Sequence, residues 1–184
     1  MKHAIVLILL VAFVVLLVVP GLAEDKTLNK YVGVKTCSPC HKSDAKGNQA
    51  GIWQKSKHAG AFKSLLSDKA AAIAKEKGLK KPASESPECL DCHIGKIDAK
   101  LAAASFDAKD GVQCEVCHGP GSTYKSMAIM KDKVKAIAAG LTEYKDEAAT
   151  EKLCKTCHNE KSPTFKEFKF KDMWGKIKHP IKKS

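Results

Sequence analysis

Apolar positions along this 184-residue chain fall into short, separated stripes, with one dense exception at its start. From Ala59 to Lys77 they recur at Phe62, Leu65, Leu66, Ala70, Ile73 and Ala74. That 3.6-residue period predicts a helix ending at Gly78. A second stripe, Tyr124, Met127, Met130, Val134, Ile137 and Leu141, predicts a helix starting near Pro120 and ending at Gly140. A short helix is expected from about Tyr144 into the segment around Cys154, and residues 80–87 read as a loop. Strand-like alternation is confined to Phe165–Phe170, too short for a sheet. The predicted fold class is mostly α, one domain of short helices with little or no sheet.

The dense exception is an unbroken apolar run from Ala4 to Val19, preceded by Lys2 and His3 and followed by Pro20-Gly21-Leu22-Ala23. It is longer than most signal-peptide cores and shorter than most membrane spans, and the small residues after it suit a cleavage site. Residues 1–23 are therefore expected to be a signal peptide, with an uncleaved anchor as the alternative. Either reading makes the chain exported, in the periplasm or elsewhere outside the cytoplasm, with 24–184 as the folded domain.

Charge sharpens the picture less than it first promises. All 32 basic residues are lysine, against 20 acidic ones. Removing the leader takes only Lys2 from the net +12, leaving about +11. Such a balance raises nucleic acid as a partner, but there are no arginine forks and no recognition motif, so none is expected.

The chemistry lies in four copies of Cys-x-x-Cys-His: Cys37, Cys40 and His41; Cys89, Cys92 and His93; Cys114, Cys117 and His118; Cys154, Cys157 and His158. They consume all eight cysteines. Two cysteines three apart share one side of a helical turn and can reach the two vinyl groups on one porphyrin edge. The histidine that follows then meets the iron from one face. This is the attachment signature of haem c. A zinc ribbon needs paired knuckles, and a thioredoxin-like motif needs a βαβ context that this chain lacks. Four haems leave roughly 40 residues of folded chain for each, so the helices would wrap as a thin coat round the macrocycles. The low aromatic content, 6%, agrees with porphyrins filling that volume. Eight propionates would also lower the net charge, leaving lysines to steer redox partners with acidic docking surfaces.

Each motif histidine holds one face of its iron, and the residue on the other face decides the chemistry. Outside the motifs only His3, His58 and His179 remain, and His3 lies in the leader. At most two irons can thus carry two imidazoles from the folded chain. His58 is followed by Ala59-Gly60-Ala61, small residues that admit a porphyrin face, and His179 precedes Pro180, which fixes its backbone. Both are candidate ligands. Methionine is the other usual ligand. Met127 and Met130 lie one turn apart beyond the third motif, with Met130 preferred; Met173, between Phe170 and Trp174, reads as packing.

With these residues in place, the chain resembles the tetrahaem cytochrome c-554 family, electron acceptors from hydroxylamine oxidoreductase. The resemblance rests on Tyr31-Val32-Gly33, on Trp53 with His58-Ala59, on the third motif running on through Gly119-Pro120-Gly121, and on the aromatic-basic stretch ending in His179. It implies three six-coordinate haems in closely packed pairs and an open distal face on the haem of the second motif. His58 and His179 match two distal histidines of the family. The third, shortly past the third motif histidine, has no counterpart in Tyr124-Lys125-Ser126-Met127-Ala128-Ile129-Met130. The departure implies a His/Met iron, at the first motif.

The function expected is single-electron transport between redox proteins through closely packed haems, alone or within a larger electron-transfer assembly. Membrane contact is expected only through an uncleaved leader. The alternative is a haem enzyme acting on a small nitrogen species at a five-coordinate second-motif haem. Catalysis there needs a proton donor on the open face, and no residue is assigned that role, so an enzyme is not the expected reading.

Overall fold

The computed structural model describes residues 28–180. The expected signal peptide, 1–23, lies outside the described residues, as does His3. The architecture is mostly α, as expected, with ten short α-helices and no named strand among the described residues. They are α1 (Val34–His41), α2 (Gln49–Lys55), α3 (Ala61–Ser64), α4 (Asp68–Glu76), α5 (Pro87–His93), α6 (Cys114–His118), α7 (Met127–Met130), α8 (Lys133–Ala138), α9 (Glu147–Cys154) and α10 (Phe170–Ile177). Extended pairing is limited to one parallel bridge between Tyr31 and Ala102.

Both long stripes are cut where the sequence supplies a helix start. Ser67, inside the first stripe, accepts the Ala70 N–H and begins α4, so the Ala59–Lys77 period becomes α3 and α4. Asp132 does the same for α8 through the Lys135 N–H, dividing the second stripe into α7 and α8. Pro120 lies in the loop after α6 and begins no helix. The stops fall where glycine predicts them. Gly78 and Gly140 take left-handed φ of 65° and 105°, and Leu79 and Leu141 return N–H bonds to Ala74 and Ala136. Asp146 caps α9 by accepting from Ala149, and that helix delivers Cys154. The Phe165–Phe170 stretch forms no strand; Phe170 opens α10.

The apolar core is small for this length. Nine hydrophobic residues are buried among those described: Val32, Val34, Ala50, Leu65, Ala74, Ala83, Tyr124, Ala136 and Phe170. One cluster joins Leu65, Ala74 and Ala83 with Ala70, Leu79 and Leu90. Val134 and Met127, expected on a buried stripe, are 77% and 51% exposed. The largest fully buried side chains are polar, Gln113 and Glu115.

Asp146→Ala removes a helix cap and is expected to cost about 1 kcal/mol. Chemical denaturation of the haem-loaded protein measures that loss, and an unchanged midpoint would show that α9 does not depend on its cap.

Candidate metal centre

The four Cys-x-x-Cys-His motifs occupy helices or the turns that continue them. The first two coincide with the C-terminal parts of α1 and α5, the third is the whole of α6, and the fourth begins at the last residue of α9. The fourth closes as a turn, with the Cys157 and His158 N–H groups both bonded to the Cys154 carbonyl. All eight cysteines are free thiols, and no group of three or more His, Cys, Asp or Glu converges on a point among the described residues.

Motifs distant in sequence adjoin in space. Cys37 and Cys114 are close enough to act on one another, which raises the Cys37 pKa and lowers that of Cys114. Helices α1 and α6 pack together beneath them. Cys157 approaches the Asp91 carbonyl at 4.0 Å, and its thiol interacts with Cys92. Burial pushes the Cys117 thiol up to about 11, with further contributions from Cys154, Cys114 and Cys157. The first motif thus adjoins the third and the fourth adjoins the second, while Cys154 of the fourth acts on Cys117 of the third.

Imidazoles are brought together with equal economy. His58 faces His158, with ring centres 6.1 Å apart, and His118 faces His179 at 5.9 Å. Two imidazoles on opposite faces of one metal ion, each bonded at about 2 Å, place their ring centres roughly 6 Å apart. Burial lowers the pKa of His58, His118 and His158, with His158 adding to the effect on His58. His118 falls to about 4, first by burial and then through His179 and His41. All three rings are thus held neutral, the form that binds a metal.

Neighbouring groups orient these rings. His179 Nδ1 lies 3.2 Å from the Ile177 carbonyl, and His93 Nδ1 lies 2.7 Å from the Ala61 carbonyl and 3.1 Å from Ser64 Oγ. Donation from Nδ1 to a carbonyl leaves Nε2 for the metal. Phe168 stacks on His158 at 4.6 Å and 15°. The His58 backbone is pinned by residues just before the third motif. Val112 N–H donates to the His58 carbonyl at 3.0 Å, and Trp53 Nε1 donates to the Val112 carbonyl at 2.7 Å. A Cβ at Gly111, where φ is +77°, would lie 2.4 Å from the His58 carbonyl oxygen. Gln49 Nε2 donates to the Pro180 carbonyl at 3.0 Å, tying the segment that carries His179 to α2.

Other expected residues are placed without a partner imidazole. His58 and His179 are engaged with the fourth and third motifs, so His41 and His93 have no second histidine between residues 4 and 184. Met127 and Met130 sit at the two ends of α7, Met130 half-buried, and Met173 is 43% exposed on α10. Sequence reasoning passed over Gln113, Glu115, Gly111 and the indole N–H of Trp53.

The description "Cytochrome c554 and c-prime" belongs to a family whose profile matches residues 36–119. Cytochrome c-554 of Nitrosomonas europaea is 30% identical over 140 residues, covering 70% of this chain. The matched part of the chain, residues 36–119, is of the cytochrome c554 family. The chain spans 57% of the length of that curated relative. No solved structure matches it.

The match to the cytochrome c554 family implies covalently bound haem c, and the residues present fit that group. Every thiol stands in an attachment motif and is free, the imidazoles of two pairs are spaced for one metal each, and few apolar side chains are buried among the described residues.

Trp53→Phe deletes the indole donor to Val112 and is expected to cost about 1 kcal/mol. Gly111→Ala, which forces a Cβ onto the His58 carbonyl, is expected to cost more. Thermal unfolding of the two variants ranks them, and the reverse order would contradict the clamp.

Proposed function

We propose that this chain is an exported tetrahaem c-type cytochrome that carries single electrons between redox proteins. The observation that carries this reading is the pairing of His58 with His158 and of His118 with His179 at the spacing of two axial ligands. When bound, haem c supplies reversible one-electron chemistry at iron.

The chain's own part is tethering, ligation and insulation. Cys37, Cys40, Cys89, Cys92, Cys114, Cys117, Cys154 and Cys157 hold four groups by thioether bonds, while His41, His93, His118 and His158 each take one iron face. His58 would be the second imidazole at the fourth motif and His179 at the third. Two strong axial ligands leave no position for substrate, which suits a carrier rather than a catalyst. Trp53 and Val112 hold the His58 backbone, so that oxidation and reduction proceed with little movement of the ligand. The contacts between motifs support a reading in which neighbouring attachment sites would exchange electrons with one another.

Two centres differ from these. At the first motif, Met130 or Met127 is the ligand proposed opposite His41. At the second, His93 has no protein ligand proposed opposite it. Lysines on the surface attract acidic partners, so the rate of electron exchange falls as salt rises. Export is supported by the leader at 1–23, and no helix among the described residues is long and apolar enough to cross a membrane.

A pyridine haemochrome assay is expected to give four haems per chain, and any other number would contradict the attachment reading. In EPR of the oxidised protein, His58→Ala and His179→Ala should each convert one low-spin centre to high spin. Spectra unchanged by either substitution would remove that histidine as a ligand. Met130→Ala or Met127→Ala should abolish the near-infrared His/Met charge-transfer band. If both leave it intact, the methionine assignment fails.

A further inference from the structure

Glu115 is a carboxylate buried inside the third motif, between Cys114 and Val116, with 2% of its surface exposed. Its Oε1 and Oε2 accept the Val32 N–H at 2.9 and 3.0 Å, Oε2 accepts the Gly33 N–H at 2.7 Å, and Oε1 accepts the Gly121 N–H at 2.7 Å. All of these partners are backbone donors. A carboxylate anion is acceptor-only and suits such a cradle; a carboxylic acid would have its own O–H to place against another donor. The neighbouring Gln113 Oε1 accepts the Val34 N–H at 2.7 Å. The N-terminus of α1 has no side-chain cap of its own and is capped from across the molecule by the residues that begin α6.

The charge is felt by both motifs it joins. Glu115 contributes to the upward displacement of Cys37 and acts against the fall of Cys114. After burial, it is also the next cause of the raised pKa of Tyr31 and of Tyr124. Lys125, which acts on Cys37 in the opposite direction, is exposed.

We propose that Glu115 is a fixed negative charge that lowers the reduction potential of the irons at the first and third motifs relative to those at the second and fourth. An anion held in a low-dielectric, water-excluded place stabilises the more positive, oxidised iron and opposes reduction. The same carboxylate locks α1 to α6, so the charge and the spacing of the two attachment sites are set by one side chain. It is a positioning and tuning residue and touches no substrate. The inference rests on haem attachment at Cys37, Cys40, Cys114 and Cys117, which peptide mass analysis of the holoprotein tests separately.

The experiment is a potentiometric titration of the full haem-loaded chain followed by EPR. The signal of the third-motif centre is identified as the one abolished by His179→Ala, and that of the fourth as the one abolished by His58→Ala. Glu115→Gln keeps the shape and removes the charge. It is expected to favour reduction of the third-motif centre on the order of tenfold, about 59 mV upward for one electron, and to leave the fourth in place. Unmoved midpoints, or an equal shift of both centres, would overturn the proposal. Gln113→Met removes the neighbouring cap without changing charge and should lower thermal stability while leaving both midpoints unchanged. If it reproduces the shift, packing rather than charge is responsible and the proposal fails.

Should Glu115→Gln not accumulate as holoprotein, the wild-type chain supplies the reciprocal test. By linkage, a charge that favours oxidised iron is itself held more tightly in the oxidised protein. The Val32, Gly33 and Gly121 amides are expected to exchange about tenfold more slowly in the oxidised than in the reduced state. Equal exchange would overturn the proposal. Absence of cofactor mass on these cysteine peptides removes the reading beneath it, whereas retained mass with unmoved midpoints removes this inference alone.

Discussion

The rest of the structure depends on polar side chains that bind backbone groups far away in sequence. Gln113 and Glu115, the largest fully buried side chains, hold the amides of Val32, Gly33 and Val34, roughly eighty residues upstream. Ser105 Oγ donates to the Val32 carbonyl at 2.8 Å, and Asn29 Nδ2 donates to the Ala139 carbonyl at 2.7 Å. With so few buried apolar side chains, packing alone supplies little of the cohesion. Each such bond adds only about 1 kcal/mol net, but leaving the buried partner unmade costs about 1–3 kcal/mol. The polar cradle therefore fixes position more than it adds stability. Correct pairing is enforced by the penalty for any other.

That enforcement explains how short helices bring imidazoles from distant segments to face one another. α2 and the turn after it are held to residues 111–113 through Trp53 and His58, and those residues continue directly into α6. His118, at the end of α6, then shares a rigid frame with the segment that presents His58. The C-terminal arm is tied in turn to α2 through Gln49 and Pro180, which brings His179 to His118. Each imidazole pair joins segments 61 or more residues apart, and each is stabilised by backbone bonds made beside it rather than by the ring contact itself.

Much of this was legible from the residues, and the reasons divide by type of interaction. Fold class followed from periodicity and glycine stops, because those are local signals. Helix lengths did not, since Ser67 and Asp132 cap from inside an apolar stripe, and local capping overrode the longer period. Motif identity was plain from spacing, whereas pairing of motifs is a tertiary fact that spacing does not encode. Glu115 looked like one of the variable residues between two cysteines. The signal that marked it lay elsewhere, in the glycines at 33 and 121. A Cβ at Gly121 would stand 3.0 Å from Glu115 Oε1, and Gly33 takes a φ of +83° beside the same carboxylate. The Val32-Gly33 and Gly119-Pro120-Gly121 segments, noted for their resemblance to the family, are two walls of one cradle.

The histidine count then carries the argument beyond geometry. With His58 and His179 engaged at the fourth and third motifs, the chain has none left for His41 or His93. In the proposed reading the four irons fall into two kinds, and each pair of adjoining motifs contains one of each. The first motif meets the third through Cys37 and Cys114, and the second meets the fourth through Cys92 and Cys157. A centre with two imidazoles is thus set beside one without in each adjoining pair. Ligand identity alone would make the two pairs near-equivalent where the ligand of the first motif is weak. A buried anion on one pair breaks that equivalence, and it does so from a residue already required to hold α1 and α6 together.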